Sequence, residues 1–226
     1  MGMRWNQPPL AFVASARLAV FSASLVPLAL LVHKGLGDAL GANPIEKITR
    51  TTGWWTLFFL AVTLAVTPAR KLAGWPWLGR LRRMLGLFAF FYGLLHFLTY
   101  FVLDQFFDWM SIGKDILKRP YITIGFTAFV LLIPLAATST DGMIRRLGGK
   151  GWRRLHKLVY VIAGAGVLHF AWLVKKDITE PLIFGFAVAA LLGWRAVDAC
   201  SNAARPTPNP TAPLARKRRQ ASPPGS

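Results

Sequence analysis

The sequence predicts an all-α fold, a six-helix transmembrane bundle, and three observations support this. Hydrophobic residues make up 54% of the 226 residues and are collected in long blocks, unlike those of a soluble domain. Six blocks approach the length of about 20 apolar residues that one helix needs to cross a bilayer. No segment alternates polar and apolar residues as a half-buried strand does. The six segments are Leu18–Val32, Trp54–Ala69, Met84–Leu103, Tyr121–Ala137, Leu158–Val174 and Pro181–Trp194.

The placement of the charges predicts how this bundle is oriented. Six spans put both termini on the same side, and the segments on that side hold 19 of the 27 Lys and Arg residues with two acids, Asp141 and Asp198. The other connections hold eight basic residues with seven acids. The positive-inside rule therefore predicts that both termini are cytoplasmic. The net charge of +18 is then explained by contact with the lipid bilayer, and we expect no nucleic-acid partner.

The chain divides into a predicted transmembrane domain, residues 1–200, and a tail, residues 201–226. The tail is basic and rich in proline and has almost nothing to bury, so we expect it to be disordered and cytoplasmic. No A-x-A-like cleavage site follows the first segment, which we interpret as a retained helix rather than a signal peptide. Cys200 is the single cysteine. It excludes an internal disulfide and covalent haem attachment through C-x-x-C-H, so any haem is b-type.

Two histidines lie deep in predicted membrane helices. His96 is about twelve residues into the third segment and His169 about eleven into the fifth. An ionisable side chain at this depth suggests a functional site, and imidazole is the usual axial ligand of haem iron. For one histidine alone, a hydrogen bond to another helix is an equally ordinary interpretation. The third and fifth helices run in the same direction, so we expect both imidazoles at one level, as a bis-histidine haem requires. His33, at the end of the first segment, is interpreted as structural.

A second site is predicted closer to the cytoplasm. His156 lies thirteen residues before His169, which is about 20 Å along a helix. At the matching depth on the third segment are Arg82 and Arg83. Arginine is not a usual iron ligand, but it pairs well with a haem propionate, a flavin phosphate or a quinone oxygen. We therefore predict an inner site formed by His156 with Arg82 or Arg83.

The helical repeat leaves the position of His156 open. Thirteen residues turn a regular helix to a face about 140° away. His156 and His169 therefore share a face only if the helix is distorted, which Gly164 and Gly166 allow. The alternative is that His156 lies just before the regular helix.

Several short stretches between Asn43 and Lys175 form a pattern that is specific when they are taken together. They are Asn43-Pro44, Thr52-Gly53, AVTPAR (65–70), RRMLGL (82–87), LLHFLTY (94–100), KRPYITIG (118–125), AATST (136–140), WRRLHKLVY (152–160) and HFAWLVK (169–175). In these stretches the sequence resembles the MsrQ (YedZ) family of bacterial membrane subunits, within the ferric reductase-like transmembrane superfamily. The superfamily has two histidines on each of its third and fifth helices, and this chain departs from that pattern at Arg82 and Arg83.

The resemblance implies a multi-pass protein of the bacterial inner membrane that holds haem b and also binds FMN. It implies that electrons come from the quinone pool and pass to a periplasmic MsrP-like molybdoenzyme, which reduces methionine sulfoxide in oxidised periplasmic proteins. His96, His156 and His169 match the histidines that hold haem in the family. The sulfoxide chemistry then belongs to the partner, and we assign no catalytic residue to this chain.

Two other functions are compatible with the same residues. The first is a stand-alone transmembrane ferric or quinone reductase with another acceptor. The second is a small proton-coupled transporter in which His96 and His169 relay protons.

Overall fold

The computed structural model describes residues 8–174 and 177–203, and the secondary structure within these ranges is helical. The helices are α1 (Leu10–Leu36), α2 (Pro44–Ala73), α3 (Arg82–Leu98), α4 (Trp109–Lys118), α5 (Pro120–Ala137), α6 (Asp141–Leu155), α7 (Leu158–Leu173) and α8 (Thr179–Ala203). A 3₁₀ turn over Pro76–Arg80 precedes α3, and a π-helical segment over Thr99–Asp104 continues it. The all-α prediction is confirmed for this part of the chain.

Five helices, α1, α2, α3 with its extensions, α5 and α8, are long and apolar enough to cross a membrane. A sixth crossing is formed if α6 and α7, which meet at a bend of 42°, are taken as one span. Five of the six apolar segments found in the sequence lie within these helices, and the fifth extends one residue, Val174, beyond the end of α7. The fifth segment reaches the length of a crossing only when α7, which has 16 residues, is joined to α6.

Two connections that the hydropathy pattern leaves as loops contain helices, α4 and α6. The carboxylate of Asp108 accepts hydrogen bonds from the backbone N–H groups of Met110 and Ser111, both at 3.0 Å, and so begins α4. Thr140 caps the first turn of α6 in the same way. These helices were missed because they are short and polar on one face. α6 is also kinked at Gly148, whose φ of +67° suits glycine.

Helix α2 lies at the centre of the bundle and packs against α3, α7 and α8, while α5 packs along α7. Leu64 of α2, Ala89 of α3 and Ala163 of α7 are fully buried where these helices meet. The buried Tyr92 hydroxyl of α3 donates a hydrogen bond to the carbonyl of Ser24, at 2.7 Å, and so ties α1 to the bundle. Hydrogen bonds of this kind and close contacts between small residues hold membrane helices together.

The bundle has two ends of different charge. At the end that we call the basic end, α2 and α8 finish and α3 and α7 begin. Lys71 pairs there with Asp198 at 2.6 Å, and Arg83 pairs with Asp141. At the opposite end, α2 and α5 begin and α3 and α7 finish. Helix α8 extends to Ala203, and the rest of the predicted tail lies outside the described residues.

Candidate cofactor site

The imidazoles of His96 and His169 face each other between α3 and α7. They lie in the half of the bundle that is farther from the basic end. Their ring centroids are 6.1 Å apart, and the ring planes are inclined at 80°. The prediction that the two imidazoles lie at one level is therefore confirmed. Their role as iron ligands is a separate prediction.

The separation of the two rings matches the space that one metal ion needs between them. A metal–imidazole bond is about 2 Å long. Two imidazoles that both bound one metal ion through Nε2 would have ring centroids about 6 Å apart, and the observed separation is 6.1 Å. The spacing of the two rings is therefore compatible with a metal ion bound between them.

Each imidazole is held by a backbone carbonyl of a neighbouring helix. The Nδ1 atom of His96 is 2.9 Å from the Thr49 oxygen of α2, and Nδ1 of His169 is 2.7 Å from the Tyr121 oxygen of α5. Because a carbonyl oxygen only accepts, each Nδ1 must carry the proton and donate it. The Nε2 lone pair of each ring is then available to a metal, and the hydrogen bond fixes the tautomer and raises the basicity of the ligand.

A glycine beside each imidazole permits this close approach. A Cβ atom on Gly53 would lie 3.0 Å from Nδ1 of His96, and a Cβ atom on Gly125 would lie 2.7 Å from Nδ1 of His169. In both helices the glycine comes four residues after the residue whose carbonyl accepts the hydrogen bond, in TRTTG (49–53) and YITIG (121–125). This repeated spacing is the sequence signal for the two positioning glycines, and reasoning from the sequence did not use it.

Two mostly apolar grooves lie on the helices that carry or contact the pair. One, of about 260 Å³, is lined by residues that include Thr52 of α2 and Leu95 of α3. The other, of about 320 Å³, is lined by residues that include Ile124 of α5 and Leu168 of α7.

The described residues contain no cluster of three or more His, Cys, Asp or Glu side chains that could hold a bare metal ion. Two imidazoles alone suit an iron whose remaining ligands come from a porphyrin.

His156 lies in a different environment, at the junction of α6 and α7. It follows the last residue of α6, and α7 begins at Leu158, so His156 precedes the regular helix. The structure therefore agrees with the alternative in which His156 lies just before the regular helix, and not with a distortion at Gly164 and Gly166. The Nε2 atom of His156 is 3.1 Å from the hydroxyl oxygen of Thr138, and its ring stacks on Trp152 at a centroid distance of 3.9 Å.

The Thr138 hydroxyl decides which nitrogen of His156 is protonated. This hydroxyl already donates to the carbonyl of Pro134, at 2.6 Å. It therefore accepts from His156, whose Nε2 carries the proton and whose Nδ1 is left as the acceptor. His156 thus has the tautomer opposite to that of His96 and His169.

The two predicted arginines have separate environments. Arg83 is exposed and pairs with Asp141 of α6. Arg82 is half-buried and interacts electrostatically with His156 and Arg195. Of the two, Arg82 is therefore the one that the structure brings towards His156. Arg195 lies in α8, and the sequence pattern did not single it out.

Comparison with known proteins identifies the family. The ferric reductase-like transmembrane component family matches residues 52–167. The haem-binding subunit MsrQ of protein-methionine-sulfoxide reductase from Herminiimonas arsenicoxydans is 61% identical over 175 residues, which is 76% of this chain and 80% of the relative. The subunit of the same name from Rhodospirillum rubrum is 57% identical over 81% of this chain and 88% of the relative. The one from Azospira oryzae is 53% identical over 85% and 83%.

The chain belongs to the MsrQ family. The family resemblance found in the sequence is thereby confirmed, and the chain is a multi-pass membrane protein of the ferric reductase-like class. The matched range includes α3 with His96 and the junction with His156, and it ends two residues before His169.

Proposed function

We propose that this MsrQ-family chain holds one b-type haem between His96 and His169 and carries electrons across the bacterial inner membrane. The observation that carries the proposal is the pair of facing imidazoles, 6.1 Å apart, with each Nδ1 committed to a backbone carbonyl. The printed name of the relatives, haem-binding subunit, supports the same cofactor.

A haem bound between the histidines would supply one-electron transfer. His96 and His169 would hold the iron, and the carbonyls of Thr49 and Tyr121 orient their imidazoles. Apolar neighbours would keep water away from a bound iron and so tune its redox potential.

We further propose that the quinone pool donates the electrons and that a periplasmic MsrP-like molybdoenzyme accepts them. The relatives' name, subunit of a protein-methionine-sulfoxide reductase, supports a partner of this kind. The reduction of methionine sulfoxide takes place on that partner, which would contact the end of the bundle nearest His96 and His169. We also propose that the chain binds FMN, and this rests on the family resemblance alone. We expect FMN at the basic end of the bundle, near His156 and Arg82, and we expect electrons to enter there.

The proposed direction of transfer requires the basic end to be cytoplasmic. Reporter fusions after Trp109 should then report a periplasmic position, and fusions after Lys150 or Ser201 a cytoplasmic one. Alkaline phosphatase and green fluorescent protein activities measure the two states. The reverse pattern of activities would reject the orientation and with it the proposed path of electrons.

The ligand assignment is tested by alanine substitution of each histidine. His96→Ala and His169→Ala should each remove most of the low-spin haem, because only one imidazole of the facing pair would remain. The matched control is His33→Ala, an exposed histidine of α1 whose loss should change nothing.

The measurement is the reduced-minus-oxidised spectrum of each purified variant, with haem quantified per protein. Full haem content with unaltered low-spin bands in His96→Ala or His169→Ala would reject the paired-ligand assignment. Absence of a Soret band from the unmodified protein would instead favour a transporter.

A further inference from the structure

A second polar cluster lies at the basic end, around Arg195 of α8. One guanidinium nitrogen of Arg195 donates to the hydroxyl oxygen of Tyr160, at 2.9 Å, and another donates to the carbonyl of Leu64, at 2.7 Å. The guanidinium carbon also lies 5.1 Å from the centre of the Tyr160 ring. Arg195 therefore connects α8 to both α7 and α2.

A proline explains why the Leu64 carbonyl is available to Arg195. In a regular helix that oxygen accepts from the N–H group four residues later, which here belongs to Pro68. Because proline has no N–H, the carbonyl lacks its helical partner. Arg195 supplies the missing donor, so the position of its guanidinium is fixed by the backbone of α2.

Two contacts do not use all the donors of this side chain. A guanidinium has five N–H groups, and the Nε atom of Arg195 is buried without a hydrogen-bond partner among the described residues. The hydroxyl of Tyr160 accepts from Arg195, which leaves its own proton free to be donated. A buried donor without a partner requires an explanation, such as a ligand.

The charges around Arg195 point to a ligand that is an anion. Arg82 interacts electrostatically with Arg195 and also with Arg70, and each of these interactions is a repulsion between cations. No carboxylate of the described residues lies within 4 Å of Arg82 or Arg195.

All nine Asp and Glu residues of the sequence lie in the described residues, and the two at the basic end, Asp141 and Asp198, pair with Arg83 and Lys71. Partly buried cations are costly unless they are paired.

We propose that Arg195 and Arg82, with the hydroxyl of Tyr160, bind a phosphate group at the basic end of the bundle, an inference that extends the FMN site proposed above. Guanidinium groups bind phosphate with two parallel hydrogen bonds, and a fixed guanidinium loses little entropy in doing so. The phosphate belongs either to a soluble ligand or to an anionic lipid headgroup.

This site is separate from the histidine pair. Arg82 lies fourteen residues before His96 on α3, about 21 Å along the helix. The phosphate site therefore does not depend on haem binding between His96 and His169.

The first arm of the test compares FMN with riboflavin, which has the same ring but no phosphate. The full chain is reconstituted in phosphatidylcholine nanodiscs, and binding is followed by quenching of flavin fluorescence. FMN should bind at least about tenfold more tightly than riboflavin, because charge-assisted hydrogen bonds are made only by the phosphate. Arg82→Gln and Arg195→Gln should each abolish this difference, whereas Arg146→Gln, at an exposed arginine of α6, should preserve it.

The second arm tests the lipid source with phosphatidylglycerol, measured by native mass spectrometry. Phosphatidylglycerol retained by the unmodified chain and by Arg146→Gln, but lost from Arg82→Gln and Arg195→Gln, would assign the site to a headgroup and support the proposal. Arg82→Gln keeps the test decisive if Arg195→Gln unfolds the chain, because the Arg82 side chain makes no hydrogen bond to another described residue, whereas Arg195 joins three helices.

Two results would overturn the phosphate site. One is that neither probe distinguishes the two variants from the unmodified chain. The other is that the haem-to-protein ratio falls in both variants while both phosphate probes bind normally, since the arginines would then serve haem carboxylates.

Discussion

The two ends of the bundle treat their histidines in opposite ways. At the opposite end, His96 and His169 donate from Nδ1 to backbone carbonyls and keep Nε2 free. At the basic end, His156 donates from Nε2 to the hydroxyl of Thr138 and stacks on Trp152. The first pair is prepared to bind a metal through Nε2, whereas the corresponding nitrogen of His156 is already committed to the protein.

This difference teaches that the position of a histidine in a membrane helix does not by itself define its role. Two imidazoles become a matched pair because the same arrangement, a carbonyl followed four residues later by a glycine, occurs on α2 and on α5. No such arrangement holds His156, which lies between two helices and beside the cation of Arg82.

The largest effect that would sharpen the comparison is expected at the two glycines. In Gly125→Ala the new Cβ would lie 2.7 Å from Nδ1 of His169, and in Gly53→Ala it would lie 3.0 Å from Nδ1 of His96. Each must displace its imidazole and weaken the hydrogen bond to the carbonyl. Gly125→Ala should therefore reduce haem affinity by about tenfold or more, and Gly53→Ala by less. Haem titration of the apoprotein, followed at the Soret band, measures both.

The matched control for these glycine variants is Gly193→Ala in α8, where an added Cβ meets nothing within 4 Å. Its haem affinity should equal that of the unmodified chain. Normal affinity in Gly125→Ala would show that the close approach of α5 to His169 does not position the ligand.

A smaller effect is expected at His156. His156→Ala should leave the low-spin bands of a haem held by His96 and His169 in place. It should slow reduction by a quinol a few-fold, as expected for loss of one side chain near the site where electrons enter. Thr138→Val removes the partner of Nε2 but keeps the ring, and it should slow the reaction less. Stopped-flow reduction by menadiol, with the spectrum recorded in parallel, measures both effects.

The His156 variants also test whether a second haem exists. Loss of one spectral component in His156→Ala, with the other retained, would indicate a second haem at the basic end. Loss of the entire low-spin spectrum would contradict separate roles for the two ends of the bundle, since haem binding by His96 and His169 would then require His156.

Much of this protein follows from its sequence alone. Bilayer thickness fixes the length of an apolar helix that crosses it, so the apolar segments located five crossings and a sixth that exists if α6 and α7 form one span. The rise per residue placed His96 and His169 at one level. The short motifs between Asn43 and Lys175 also identified the family of the chain from the sequence alone. Hydropathy could not reveal α4 and α6, because it detects only long apolar segments. These two helices are short and have a polar face.

Only the tertiary structure decided what each histidine contacts. The carbonyls of Thr49 and Tyr121 lie 47 and 48 residues from the histidines that they orient, and the oxygen of Leu64 lies 131 residues from Arg195. Hydrogen bonds between helices depend on which faces pack together, and a pattern along one helix does not contain that information. The sequence therefore determined which segments form long apolar helices and the level of each histidine along them, while helix packing determined which nitrogen of each imidazole is free.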